Sequence, residues 1–261
     1  MKVDPRLDIL FEDQDLLVVN KPADLVCHPT KGDEYSSLIS RIRLHLGNEN
    51  PAHLVNRIDR ETTGLVLVAK TDISNRQLRI LFQDRRVEKE YQAIVYGHPV
   101  DDCGLIDAAL GSDEKSEVTI RDCVRADGAS SQTEYVVERR FERSEGAFAL
   151  LRVRPATGRK HQIRIHLGHI GHPIVGDKLY GLEERFYLDF IYDRLTSADW
   201  GRLILPNQAL HAELLKFVWQ GRAYSFRADP DIAFSGFLAG EPVLQIAHVK
   251  PVKLSITPSL V

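Results

Sequence analysis

The chain has 261 residues, 43% of them hydrophobic and 27% charged, with a formal net charge of -3 at pH 7. That is enough apolar material to bury a full core as one large domain or two small ones. Its cysteines, Cys27, Cys103 and Cys123, are odd in number, far apart and without a C-x-x-C pair, which argues against a disulfide framework or a zinc site and for a reducing compartment. No stretch approaches membrane-spanning length, so a soluble cytoplasmic protein is expected.

In chain order, Leu7 to Pro22 reads as a hairpin, with apolar runs Ile9-Leu10-Phe11 and Leu16-Leu17-Val18-Val19 around Glu12-Asp13-Gln14-Asp15. Ser36 to Leu46 reads as a helix. Leu38, Ile39, Ile42 and Leu46 make its apolar face, Ser36 or Ser37 caps it and Gly47 ends it. A polar turn from Asn56 leads into a strand at Leu65 to Ala69. Asp72 is the expected N-cap of a helix running to about Arg85, with Leu78, Leu81 and Phe82 inward. Glu88 to Val95 reads as a strand that puts Tyr91, Ala93 and Val95 on one face by its period of two.

From Asp101 to Gly146 the signals are weaker, with short strands at Val118-Thr119-Ile120 and Thr133 to Val137. Phe148 to Val153 is a clearer strand, ended by the turn Pro155-Ala156-Thr157-Gly158. Helical spacing of Ile163, Leu167 and Ile170 follows and sets Arg164 on the helix flank. Glu183 to Leu195 carries Phe186, Tyr187, Phe190 and Ile191 at helical spacing, read as core. A last hairpin pairs Leu214 to Trp219 with Ala223 to Ala228 around Gln220-Gly221-Arg222. Beyond Pro230 the chain is interrupted by Pro and Gly and is expected to be peripheral. Alternating helices and strands with many hairpins predict an α+β fold with a single domain over 1–235 and a tail over 236–261.

A net charge of -3 argues at first against nucleic acid, but its distribution does not. From Gly146 to Gly176 there is no Asp or Glu, while Arg152, Arg154, Arg159, Lys160 and Arg164 fall there with His161, His166, His169 and His172. An uncompensated cationic zone of this kind suits phosphate contact. The bland alternative is a basic helix beside acidic neighbours that balance it. With no carboxylate or thiol near and a spacing that runs around the helix, the histidines are not expected to bind metal.

The most specific run is Asn56-Arg57-Ile58-Asp59-Arg60-Glu61-Thr62-Thr63-Gly64, a carboxylate between two arginines directly before a strand. Opposite charge close by favours the ionised carboxylate, so Asp59 suits a nucleophile or an RNA-facing group better than a general acid. This run resembles the catalytic loop H-R-L-D-x-x-T-S-G of the RluA family of pseudouridine synthases. Leu16-Leu17-Val18-Val19-Asn20-Lys21-Pro22 resembles that family's opening strand. Lys89-Glu90-Tyr91-Gln92-Ala93-Ile94-Val95-Tyr96-Gly97 resembles its K-x-Y-x-A-x-V-x-G strand. Thr157 to Leu167, continuing through Gly171 to Asp177 and on to Tyr180-Gly181, resembles its third signature, and Leu210-His211-Ala212 fits its L-H-A. The resemblance covers roughly residues 7 to 230. Asn56 and Thr63 depart from the usual His and Ser, and as small polar groups they are compatible with the same loop geometry.

The resemblance implies a mixed, largely antiparallel sheet with flanking helices and a central catalytic cleft. It implies isomerisation of specific uridines to pseudouridine in structured rRNA or tRNA, with RNA as partner, and needs no cofactor because no redox step or group donor is involved. It further implies Asp59 as nucleophile or as base for the ribose 2′ proton, two roles its chemistry alone does not separate. Tyr91 is the implied stacking residue and acceptor of the C5 proton, for which a nearby cation would have to assist a phenol that titrates near ~10. Arg164 is the implied partner of Asp59. Arg57 is the implied residue that holds the gap left by a flipped base, and Arg60, Arg159, Lys160 and His161 are the further expected RNA contacts. Some family members carry an N-terminal S4 RNA-binding domain, whereas this chain enters its hairpin by about residue 7, and a monomer is expected. A catalytically silent RNA-binding protein or chaperone of the same fold is the alternative, set aside because Asp59, Tyr91 and Arg164 are all present. A carboxylate glycosidase would need a second acid near Asp59, and Glu61 is the only candidate.

Overall fold

The computed structural model describes residues 6–29, 37–47 and 49–242. One mixed sheet organises the chain. β1 (Asp8–Glu12) and β2 (Leu16–Lys21) form the first hairpin, and β2 pairs antiparallel with β4 (Thr63–Ala69), which also pairs with the short β3 (His53–Leu54). Next in the sheet come β11 (Leu210–Trp219), β5 (Glu88–Tyr96), β10 (Gly146–Pro155), β9 (Gln132–Arg143) and β6 (Cys103–Asp107). β12 (Arg222–Arg227) completes a hairpin with β11, and β7 (Leu110–Ser112) pairs with β8 (Asp122–Val124) as a separate ribbon. Every pairing in the large sheet is antiparallel except the short β4·β11 contact. The expected α+β fold with a mixed, largely antiparallel sheet is what forms.

Opposite side chains of the central strands serve opposite layers. Leu17, Val19, Val66 and Val68 pack with Leu38, Ile39 and Ile42 of α1 (Leu38–Leu46). Leu16, Val18, Leu65 and Leu67 pack with Leu78 and Leu81 of α2 (Asp72–Gln83). Because both faces are covered, β2 and β4 read as continuous apolar runs rather than alternating ones. α3 (Gln162–His169) contributes Ile163 and Leu167 to a third cluster with Ile94, Phe148 and Val153.

Several expectations shift. The N-cap of α2 is Thr71, whose hydroxyl accepts from Ser74 N–H while the Ser74 hydroxyl accepts from Thr71 N–H. This reciprocal box satisfies two donors, so Asp72 becomes the first helical residue. Ser37 caps α1 as expected. Val118-Thr119-Ile120 lies in turns, and the ribbon strand falls at Asp122–Val124 instead. The helix expected over Glu183 to Leu195 forms as the shorter α4 (Arg185–Ile191), and α5 (Ser197–Leu203) follows outside the expected range. Of its four apolar residues only Phe186 is fully buried, and Ile191 is exposed.

The domain boundary expected at residue 235 falls inside α6 (Ile232–Ala239), capped by Asp231. This helix is not peripheral. Phe237 is fully buried, stacks edge-on to Phe148 at 5.1 Å and joins the same cluster as α3. Residues 243–261 of the expected tail lie outside the described residues. Phe237→Ala should lower unfolding free energy by about 3–5 kcal/mol, as measured by urea denaturation. A loss below about 1 kcal/mol would return this helix to the periphery.

Candidate active site

Residues 55–62 connect β3 to β4, and neighbouring elements pin this loop and the first residues of β4 at successive positions. The Asn56 amide donates to Leu65 O (3.2 Å) and accepts from Leu67 N–H (2.7 Å), which fixes the loop onto β4 at its entry. Asn56 is therefore a sound substitute for the expected histidine. The ammonium of Lys21, fully buried, donates to Arg60 O (2.9 Å) and Pro22 O (2.7 Å). Burial pushes that ammonium down to about 8.

Glu61 accepts from Lys178 Nζ at 2.8 Å and Thr62 Oγ1 from Gln208 Nε2 at 2.5 Å. The Nε2 of His211 faces Ala228 O (2.9 Å) and so carries the proton, which leaves Nδ1 to accept from the Thr63 hydroxyl (2.8 Å). Gly64, at φ 110, lies so close to β11 that a Cβ there would sit 2.3 Å from Ala212 O. Only glycine permits the parallel contact on which the loop rests.

Between these anchors Asp59 faces a cleft of about 110 Å³ lined by Arg57, Tyr91, Arg159, His161 and Arg164 among others. Arg164 Nη1 donates to Asp59 Oδ2 at 2.8 Å, while Nε and Nη2 bind both oxygens of Asp177 at 2.7 and 2.8 Å. Asp177, whose side chain is fully buried, also accepts from the backbone N–H groups of Leu179 and Tyr180. Burial pushes both carboxyls up, but the Arg164 guanidinium overrides it and holds each below the ordinary carboxylate value.

Arg57 and Arg60, flanking Asp59 in sequence, do not hold its charge; a residue of α3 does. That residue, Arg164, is the partner the resemblance implies, and it is buried. Arg60 is turned from the cleft, its Nε 3.7 Å from Asp24 Oδ1. Arg57 is exposed at the mouth, and no hydrogen bond or ion pair of its side chain occurs among the described residues.

Tyr91 lines the cleft as expected, but its phenol is pushed above the ordinary value by burial and by the Asp59 charge. The assisting cation expected beside it does not act on it. Glu61, which would serve as a second catalytic acid, is occupied by Lys178 and does not line the cleft.

The uncompensated cationic zone is also corrected. Arg152 pairs with Glu90 and Glu138, Arg154 with Glu90, and Lys160 with Asp122 at 3.0 Å. These acids arrive from other elements and balance charges that look isolated along the chain. Arg159 lines the cleft and donates to Ser130 O (3.3 Å), with no acidic partner among the described residues. Of the histidines, His166 and His172 serve the framework through Thr133, Ala108 O and Tyr96 O, whereas His161 enters the cleft.

Sequence reasoning gave no role to Lys21, Asp177, Lys178 or Gln208. Asp177 stood within a motif already noted, and a buried carboxylate needs a cation, so its pairing with Arg164 was the discoverable signal.

With this geometry in hand, comparison with known proteins is informative. The family model described as RNA pseudouridylate synthase matches residues 15–169. An uncharacterized RNA pseudouridine synthase of Aquifex aeolicus (strain VF5) is 38% identical over 184 residues, covering 68% of this chain and 57% of its own length. Ribosomal large subunit pseudouridine synthase D of Pseudomonas aeruginosa is 36% identical over 82% of this chain and 64% of its own length. The dual-specificity RNA pseudouridine synthase RluA of Escherichia coli (strain K12) is 33% identical over 87% of this chain and 95% of its own length. The chain thus spans less than two thirds of the first two of these proteins. Among solved structures, human RNA pseudouridylate synthase domain containing 1 superposes with a TM-score of 0.69 at 25% identity, covering 88% of this chain and 86% of that one.

Asp177→Asn should cost about 3–5 kcal/mol at pH 7, because it leaves a buried guanidinium short of one charge. Since Asp59 and Asp177 are held below 3.8, their stabilisation is complete above that value and lost as pH falls through their folded-state values. The variant's stability should consequently fall less steeply than wild type between about pH 5 and about pH 2. Parallel pH curves from chemical denaturation would contradict this.

Proposed function

Because the chain belongs to the RNA pseudouridine synthase family, we propose that it isomerises specific uridines of structured RNA, ribosomal or transfer, to pseudouridine. The observation that carries this reading is the Asp59–Arg164 ion pair facing Tyr91 across one cleft. Breaking the bond between ribose C1′ and uracil N1 calls for an ionised carboxylate at the sugar. Arg164 keeps Asp59 ionised and aimed, and Asp177 keeps Arg164 in place. Asp59 then either bonds to C1′ or takes the 2′ proton. The freed uracil turns and rejoins through C5 while the ring of Tyr91 supplies a flat apolar wall. Proton transfer to the Tyr91 oxygen needs rearrangement on RNA binding, since Asp59 opposes a phenolate in the free protein.

A stacked uridine must leave its helix to reach the cleft. Arg57, exposed at the mouth and free of protein partners among the described residues, is placed to fill the gap. Arg159 is placed to meet a phosphate, and Lys160 has first to give up Asp122. The protein acts as a cytoplasmic monomer without metal or cofactor. The decisive experiment maps pseudouridine in total RNA from cells with and without this protein, followed by release of tritium from C5 of labelled uridine with purified enzyme. Unchanged maps and no release would overturn the reading.

Asp59→Asn should cut turnover at least about a hundredfold, about 2.7 kcal/mol of transition-state stabilisation, with folding retained. Arg57→Ala should slow reaction on a stem-loop more than on a flexible oligonucleotide whose uridine is already unstacked. Equal losses on the two would move Arg57 into the chemistry. The rate should be flat between about pH 5 and pH 7.5, since Asp59 is depressed, His161 lies at about 4 and the Tyr91 phenol is raised. A limb near the ordinary histidine value would contradict this assignment.

A further inference from the structure

The ring of His161 lines the cleft with its Nε2 3.9 Å from Asp59 Oδ2, and its backbone is unusual. It holds φ 55 and ψ 16, the left-handed region, at the N-cap of α3, yet its side chain makes no cap hydrogen bond. A non-glycine residue kept there costs roughly 1–3 kcal/mol, and such residues gather at functional sites. The helix does not use the side chain, so another demand holds it.

The hydrogen bonds fix the proton on that ring. Tyr180 Oη accepts from Asp122 N–H at 3.0 Å and lies 2.9 Å from His161 Nδ1. The phenolic proton finds an acceptor among the described residues only if Nδ1 is bare, which places the ring proton on Nε2. Burial, with Arg164 next, pushes the imidazole down to about 4, so it is neutral at pH 7. Nε2 lies 3.9 Å from Asp59 Oδ2, beyond hydrogen-bond range, and has no acceptor among the described residues. An oriented, neutral donor thus faces the cleft unspent, one small group away from the carboxylate.

We propose that His161 is a catalytic residue whose Nε2–H donates a hydrogen bond to O2 of the departing uracil, an inference that rests on the uridine-isomerising reading above. When C1′–N1 breaks, its electron pair leaves on uracil and spreads onto O2, on the carbon beside N1. C1′ is meanwhile satisfied by a bond to Asp59 or by a double bond to C2′ after the 2′ proton passes to Asp59. On either route His161 keeps its proton and stabilises charge that exists only as the bond breaks. A neutral imidazole suits this better than an imidazolium, which would compete with Arg164 for Asp59.

The test uses full-length protein and a hairpin RNA that the wild type converts, prepared with uridine or 5-fluorouridine at the target. Fluorine withdraws electrons, makes uracil a better leaving group and lessens the need for a donor. His161→Gly removes the donor and relieves the backbone. His161→Gln keeps an N–H near the position of Nε2, and Gln220 at φ 50 shows that this chain accommodates glutamine in that region.

Single-turnover loss of the original nucleoside should slow about a hundredfold on uridine in His161→Gly, but at least about fivefold less on 5-fluorouridine. His161→Gln should recover to within about tenfold of wild type on uridine. Equal fractional losses on the two RNAs, or wild-type rates in His161→Gly, would overturn the donor role while leaving the isomerase reading intact. A wild type that converted no uridine in any cellular RNA would overturn the isomerase reading and this proposal with it.

Discussion

Arg164 is shared between two carboxylates, and the rest of the site depends on that division. Asp177 takes two of its donors within a fully buried network and Asp59 takes a third at the cleft. Neither half would serve alone. An Arg164 bound only to Asp59 could swing with its partner, and a buried guanidinium without Asp177 would carry an uncompensated charge. Tied to the turn after α3 through Asp177, it presents a fixed cation to the Asp59 carboxylate at the cleft.

The loop bearing Asp59 is immobilised in complementary ways, through Asn56 on β4, Lys21 from β2, Lys178 beside Asp177, Gln208 ahead of β11 and His211 within it. Two of these anchors are buried ammonium groups donating to carbonyls or a carboxylate. They cost desolvation and return a single loop geometry, the preorganisation that an electrostatic site requires. Arg57 stands apart from the anchored residues, so a rigid carboxylate and an adaptable arm occupy adjacent positions of one loop.

Apolar periodicity located the longer strands and helices α1 to α4, because burial on a pleated or helical surface leaves its mark within a few residues, while the short β3, β6, β7 and β8 and the helix α5 left too little pattern to read. Asp59, Tyr91 and Arg164, separated by up to 105 residues, do meet in one cleft, and their motifs were readable as ordered blocks. What failed were inferences about charge. Arg152, Arg154 and Lys160 look unbalanced along the chain, yet Glu90, Glu138 and Asp122 reach them across strands. Asp59 looks balanced by Arg57 and Arg60 along the chain, yet its partner is Arg164 of α3, which the family resemblance implied and local composition did not. Ion pairs form in three dimensions at no fixed sequence spacing, so local composition does not predict them. α6 was misjudged for a different reason: its flanking Pro and Gly suggested a loose tail, while Ala233, Phe234, Phe237 and Leu238 carry the apolar surface of a packed helix.

The parallel contact of Gly64 with Ala212 has a consequence for the order in which the molecule becomes competent. β11 lies between β4 and β5, so the strands that carry the Asp59 loop and Tyr91 are joined only when a strand more than a hundred residues later in sequence enters between them. The first hairpin, α1, β4 and α2 can gather from local pairings, but closing a loop of this length must precede any reward from the contacts it brings. A chain still lacking β11 holds Asp59 and Tyr91 on strands with nothing between them to set their spacing. The cleft takes shape only once Ala212 and the strand around it are in place.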